Sequence, residues 1–244
     1  NYNPYSNAST LTVPTAPLTG GNYTKLLLNF TNAKIIDSTG HTNFETIGDT
    51  QLDTSVKKFG TASMEFDGTV DRLRTPNGTT SSTVGAFGAR LGTGDFTIEC
   101  FVYLDVVEYT GIWQFDTDSL SGYGYIGPVL EITPTGSGSA LVWSTMTQHG
   151  GNSRKSSAVT PSASTWYHTA VVRTNGTIKV FVDGTQIISD FTDTSDYSNR
   201  DTLTIGGFYD TNYLMNGYID EFRVTNKARY TSNFTAPTKE FPNK

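Results

Sequence analysis

An all-β fold, a two-sheet antiparallel β-sandwich of jelly-roll type, is the class this sequence predicts, and three observations predict it. The apolar-rich runs Thr169–Arg173 and Ile178–Val182 flank Asn175-Gly176, a dipeptide whose residues accept positive φ and so close a two-residue hairpin. A second turn of the same kind, Asp183-Gly184, follows at once. Short alternating or apolar runs then recur along the chain about every 8–12 residues with turn residues between them, which is sandwich spacing.

Residues 1–22 precede this pattern. Pro4, Pro14 and Pro17 among Ser, Thr and Asn disfavour helix and suit an extended linker. Leu11-Thr12-Val13-Pro14-Thr15-Ala16-Pro17-Leu18 aligns in register with Phe234-Thr235-Ala236-Pro237-Thr238-Lys239-Glu240-Phe241. The echo reads as the exit segment of a preceding module in a tandem array; the alternative is two Pro-Thr linkers that coincide. The sandwich domain is expected over 23–244. Its strands are expected at Lys25–Phe30, Ala62–Phe66, Leu73–Thr75, Phe96–Leu104, Gly111–Phe115, Tyr125–Ile132, Ala140–Thr145, Ser156–Val159, Trp166–Arg173, Ile178–Val182, Thr185–Ile188, Thr202–Ile205 and Tyr218–Val224. Within Thr97–Leu104, Ile98, Cys100, Val102 and Leu104 alternate with Thr97, Glu99, Phe101 and Tyr103, so this strand is expected to be covered on both faces. Short helical turns are expected near Val84–Gly88 and Lys227–Thr231.

Composition removes several function classes. The 244 residues suit one large all-β domain and suffice for a sizeable core. With 14 Phe and 13 Tyr to bury, disorder is disfavoured. A net charge of −6 without a basic stripe argues against nucleic acid and leaves room for a divalent cation. No run reaches the 18 or so apolar residues of a membrane span, so no membrane insertion is expected. The one cysteine, Cys100, lies in a strand pattern and is expected to be a buried thiol. The chain begins with Asn and lacks a signal-peptide pattern, so it reads as a piece of something longer.

The motifs L-L-L-N-F (26–30), K-K-F-G-T-A-S-M-E-F-D-G (57–68), G-D-F-T-I-E-C-F-V-Y (94–103), W-Y-H-T-A-V-V-R (166–173), V-F-V-D-G (180–184), L-T-I-G-G (203–207) and Y-I-D-E-F-R-V (218–224) occur in one order. Together they resemble the laminin-G-like, concanavalin A-like lectin/glucanase superfamily over about residues 23–242. The closing A-R-Y-T-S-N-F-T-A-P-T resembles modules of bacteriophage tail and virion proteins. The resemblance implies a structural calcium site with Asp220 as the last-strand aspartate and a carbonyl from Gly68. The alternative for Asp220 is pairing with Arg223 or capping a turn without metal. Trp166 and Phe101 are expected to fill the inter-sheet layer, and His168 to be packed and hydrogen-bonded.

Related glucanases carry two carboxylates on one strand, which retaining hydrolysis needs about 5–5.5 Å apart. Neither E-x-D-x-E nor E-x-D-x-x-E occurs here, and no Ser/His/Asp order, phosphate loop or zinc spacing appears. Asp116 and Asp118 read as a polar turn, and Asp193, Asp196 and Asp201 as loop residues. An enzyme is therefore not expected. Sugar recognition uses exposed aromatic faces beside amide and charged donors on loops. Three segments hold that inventory: 119–125 with Tyr123 and Tyr125; 146–154 with His149, Asn152 and Arg154; and 209–213 with Tyr209, Asp210, Asn212 and Tyr213. Each could equally be an ordinary polar loop. The sequence thus points to a non-catalytic glycan-binding module of a viral or cell-surface structural protein. Its expected partners are a cell-surface glycan and neighbouring virion or surface subunits, in an extracellular or virion setting. The alternatives are a decoration protein that binds no glycan and, behind it, a polysaccharide hydrolase.

Overall fold

A computed structural model describes residues 23–30, 35–75, 90–116, 127–135, 140–147, 154–198, 200, 202–208 and 212–242. The expected linker 1–22 and the expected turn at 84–88 lie outside these residues. Among the described residues there are fifteen strands: β1 (Thr24–Leu28), β2 (Glu45–Ile47), β3 (Gln51–Asp53), β4 (Ser63–Asp67), β5 (Arg72–Arg74), β6 (Phe96–Leu104), β7 (Thr110–Asp116), β8 (Val129–Pro134), β9 (Leu141–Met146), β10 (Lys155–Ser156), β11 (Trp166–Thr174), β12 (Thr177–Val182), β13 (Thr185–Thr192), β14 (Thr202–Ile205) and β15 (Asn216–Thr225). Among the described residues there is no helix, so the turn expected at 227–231 is irregular chain instead.

The strands form two antiparallel sheets. One has eight strands in the order β13-β12-β11-β6-β15-β4-β3, with β1 also paired to β15; the other has seven, β10-β9-β8-β7-β14-β5-β2. The predicted hairpin turns are where the sequence puts them: φ is positive at Asn175 (48°), Gly176 (72°), Asp183 (48°) and Gly184 (77°). The primed turn this requires matches the right-handed twist of the strands it joins. Between the sheets, Ile98, Cys100, Val102 and Leu104 of β6 meet Trp113, Phe115, Leu130, Ile132 and Trp143 of the opposite sheet, all buried. Cys100 is wholly buried, and burial pushes its thiol up to about 12.

The other face of the eight-stranded sheet is also covered, by the chain after β15. Phe241 packs with Leu27, Phe101, Phe59 and Trp166. Ala228, Tyr230 and Phe234 pack on Ala170, Val172 and Phe181. Phe101 and Trp166 therefore lie beneath this C-terminal strap and not in the inter-sheet layer, because their positions on β6 and β11 alternate away from the core. Under the strap sits Glu99, wholly buried. It holds Arg223 (Nη2 at 2.7 Å), Arg229 (3.2 Å) and His168 (3.2 Å) and accepts from the Tyr230 hydroxyl (2.8 Å). Burial opposes its charge, but Arg223, His168 and Arg229 outweigh that and hold it down at about 2. His168 is packed and hydrogen-bonded as expected.

Asp116 departs from the sequence reading. It is the last residue of β7, buried at 3% exposure and paired across to Thr202, because the strand runs one residue past Phe115. Asp193 is a loop residue as read, just past the end of β13, but a buried one: it accepts from Tyr197 (2.9 Å) and pairs with the buried Arg173 (3.3 Å).

Candidate functional site

The seven-stranded sheet presents its second face away from the core. Along β8, Leu130 and Ile132 point inward, so Val129, Glu131 and Thr133 point outward. β9 and β10 add Ser144 and Ser156, linked to Thr133 through hydroxyl bonds of 2.9 and 2.7 Å. On β7 the outward Gln114 donates to Asp116 at 3.0 Å. A small apolar cluster of Val129, Met146 and Phe208, with Tyr109 against it, lies on the same face.

Glu131 is the pivot of this surface. It is wholly buried, and burial pushes its pKa up while Arg154 pulls it back. Arg154 reaches it with Nε at 2.6 Å and Nη2 at 3.2 Å. Nη2 also donates to the Tyr109 hydroxyl at 3.0 Å. The Tyr109 ring stacks on Tyr213, with centroids 4.0 Å apart and planes 31° apart. Tyr213 is held in place by its backbone: its carbonyl accepts from the Gly111 amide (2.9 Å) and the Thr110 hydroxyl (3.1 Å), and its φ of 57° is left-handed. Tyr213 is 41% exposed and the Arg154 side chain 32%. The result is an open aromatic face next to a guanidinium fixed by a buried carboxylate, the combination that meets sugar C–H surfaces and hydroxyls.

Of the residues singled out from sequence, Arg154 and Tyr213 lie at the centre of this site, and Asn212 is exposed beside Tyr213. Tyr123, Tyr125, His149, Asn152 and Tyr209 lie outside the described residues. Tyr109 and Glu131 were missed. Tyr109 stands alone in an acidic V-V-E-Y turn, and Glu131 is a single carboxylate in an apolar strand; neither carries a motif.

Asp220 and Gly68 are not brought together. Asp67 pairs with Asn216, four residues before Asp220 on β15, which is roughly 13 Å of strand. The Asp220 carboxylate is wholly buried and occupied by backbone: Oδ2 accepts from Lys58 (2.9 Å) and Phe59 (3.0 Å), and Oδ1 from Glu221 (2.9 Å). Burial pushes it up to about 6, against those three hydrogen bonds. Asp220 therefore caps the 58–59 turn, and Arg223 pairs with Glu99. Among the described residues, the carboxylates that could offer oxygens to a hard cation are Asp49, Asp67 and Asp71, whose oxygens lie within 4.8 Å of one another. Asp71 also accepts from the amides of Asp49 (2.9 Å) and Asp67 (3.2 Å).

Structures of similar fold include domain 4 of AbnA, a GH43 extracellular arabinanase from Geobacillus stearothermophilus, in complex with arabinotriose. It is 16% identical, with a TM-score of 0.60, over 84% of this chain and 93% of that one. The binding domain of Paraclostridial Mosquitocidal Protein 1 is 13% identical with a TM-score of 0.59, over 85% of this chain. The receptor binding domain of botulinum neurotoxin D is 15% identical with a TM-score of 0.55, also over 85%. The chain spans 50% of the length of each of these two toxin domains. No curated protein sequence matches it. The family profile of the concanavalin A-like lectin/glucanases matches residues 67–233, from the end of β4 to the strap. With most of its length inside that match and two facing antiparallel sheets around one core, the chain belongs to the concanavalin A-like lectin/glucanases superfamily.

Proposed function

We propose that this chain is a non-catalytic glycan-binding module of an extracellular or virion structural protein, serving recognition of a host surface. The observation that carries the reading is the exposed Tyr213 ring stacked on Tyr109 beside Arg154. The shared fold with an arabinanase domain complexed with arabinotriose, and with toxin receptor-binding domains, supports it. The pairing of Glu131 with Arg154 weighs against hydrolysis, because both carboxylate oxygens already accept from the guanidinium and neither is free to reach a glycosidic oxygen. The test is a glycan array followed by affinity electrophoresis on the retained polymer. Tyr213→Ala should weaken retention by roughly fivefold, the equivalent of about 1 kcal/mol of stacking. An array with no retained glycan ends the reading.

A structural role in an array of modules is the second reading. The strap's anchors, Phe234 and Phe241, sit at the ends of the segment echoed by Leu11–Leu18. Calcium belongs to the proposal as a stabilising ion at Asp49, Asp67 and Asp71. It should raise the melting temperature and a chelator should lower it; equal melts with and without the ion remove it.

A further inference from the structure

The geometry points to a ligand class for this surface: the site takes neutral polysaccharides and rejects anionic ones such as uronates and sulfated glycans. The inference rests on the glycan-binding reading and narrows it. Arg154 lies against the aromatic stack, its guanidinium 5.9 Å from the Tyr109 ring centroid, and its charge is already spent on Glu131 through two contacts of 2.6 and 3.2 Å. A ligand carboxylate or sulfate that took the guanidinium would strand Glu131, which is wholly buried, and an uncompensated buried charge is strongly unfavourable. A neutral hydroxyl asks for no such exchange. Nη1 of Arg154 makes no hydrogen bond among the described residues, and the Tyr109 oxygen, accepting from Nη2, keeps its own proton to donate.

The surroundings act in the same direction. The described connections 48–50, 68–71, 105–109, 206–208 and 212–215 meet at one end of the sandwich: Asp67 pairs with Asn216, whose carbonyl accepts from Asp105, and Asp71 holds the Asp49 amide. They carry Asp49, Asp71, Asp105 and Glu108, and neither Lys nor Arg. On the sheet face, Arg72 and Arg74 are matched in number by Glu45 and Asp116. An approaching polyanion meets a surface of its own sign.

Affinity electrophoresis of the whole chain, with neutral polymers (arabinan, galactan, β-glucan) and anionic ones (polygalacturonate, alginate, dextran sulfate), tests this at low salt. Retention by at least one neutral polymer and by no anionic one is expected. Retention by an anionic polymer overturns the inference and leaves the glycan-binding reading standing; retention by neither panel overturns both. Glu131→Gln keeps the side-chain shape and releases the Arg154 charge. Provided its melt remains cooperative, it should gain about tenfold in affinity for polygalacturonate, lost again at high salt. A folded Glu131→Gln protein that still ignores the anionic panel overturns the role given to Glu131. Should the variant not fold, the wild-type comparison decides alone.

Discussion

Arg223 sets both Nε and Nη2 on the same oxygen of Glu99, at 2.9 and 2.7 Å, on the sheet face that the C-terminal strap covers. Both partners are buried, Arg223 at 5% exposure and Glu99 wholly. Removing one partner strands the other, which typically costs about 3–5 kcal/mol. Glu99→Ala should lose stability in that range by denaturant titration, and Arg223→Ala should match it. Losses that sum in the double variant would show that the two residues act independently.

The same carboxylates set a pH profile. Glu99 is held at about 2 in the folded chain against an ordinary 4.5, so its contribution is complete above 4.5 and drains away as pH falls toward 2. Glu221 runs the other way. Burial, with Asp220 beside it, pushes it up to about 9 despite the hydrogen bond from the Phe241 amide. The folded state then holds a proton that the unfolded state has released, so stability declines as pH rises from 4.5 to 9. The optimum should lie near 4.5, where the two windows meet. Melts across pH 4–9, a range set by the two shifts, should show the decline in the native chain and a flatter profile in Glu221→Gln.

Phe241 anchors the strap: it lies 2% exposed, with the Arg223 guanidinium 3.8 Å from its ring centroid. Phe241→Ala should cost about 3–5 kcal/mol. It should also open Phe101 and Glu99 to hydrogen exchange before the inter-sheet core. Exchange that rises evenly across both sheets would show that the strap does not open separately.

Gly184 makes a sharper test of the same element. Its φ is 77°, and a Cβ there would run into the Phe234 carbonyl. Gly184→Ala should cost more than the about 1–2 kcal/mol of a left-handed alanine alone. Gly176→Ala, in a similar turn where a Cβ would meet Thr194 and the Asp193 carbonyl only at ordinary van der Waals distance (3.6 and 3.8 Å), should cost no more than that.

Much of the fold was legible because it is local. Asn175-Gly176 and Asp183-Gly184 declare their turns, and β6 declares two covered faces by alternating Ile98, Cys100 and Val102 with Glu99 and Phe101. What covers the second face was not legible, since Phe101 meets Phe241 only after the chain returns across the sheet. β2 and β3 escaped notice because E-T-I and Q-L-D are three residues each and mostly polar, strands made by their neighbours. In the site, Arg154 stood out as a charged donor in a polar loop. Tyr213 stood out as an aromatic in a separate loop, but Tyr109 and Glu131 did not, because they meet Arg154 and Tyr213 only in the folded sheet.

β15 is the last strand made and one of the most central. It pairs with β6 along one edge and with β4 and β1 along the other. A nascent chain therefore leaves the ribosome with a gap in the middle of its larger sheet until residue 225 has emerged. Folding of this domain has to wait until β15 has been made, and a product cut short before Asn216 keeps three unpaired edges open to chaperones and proteases.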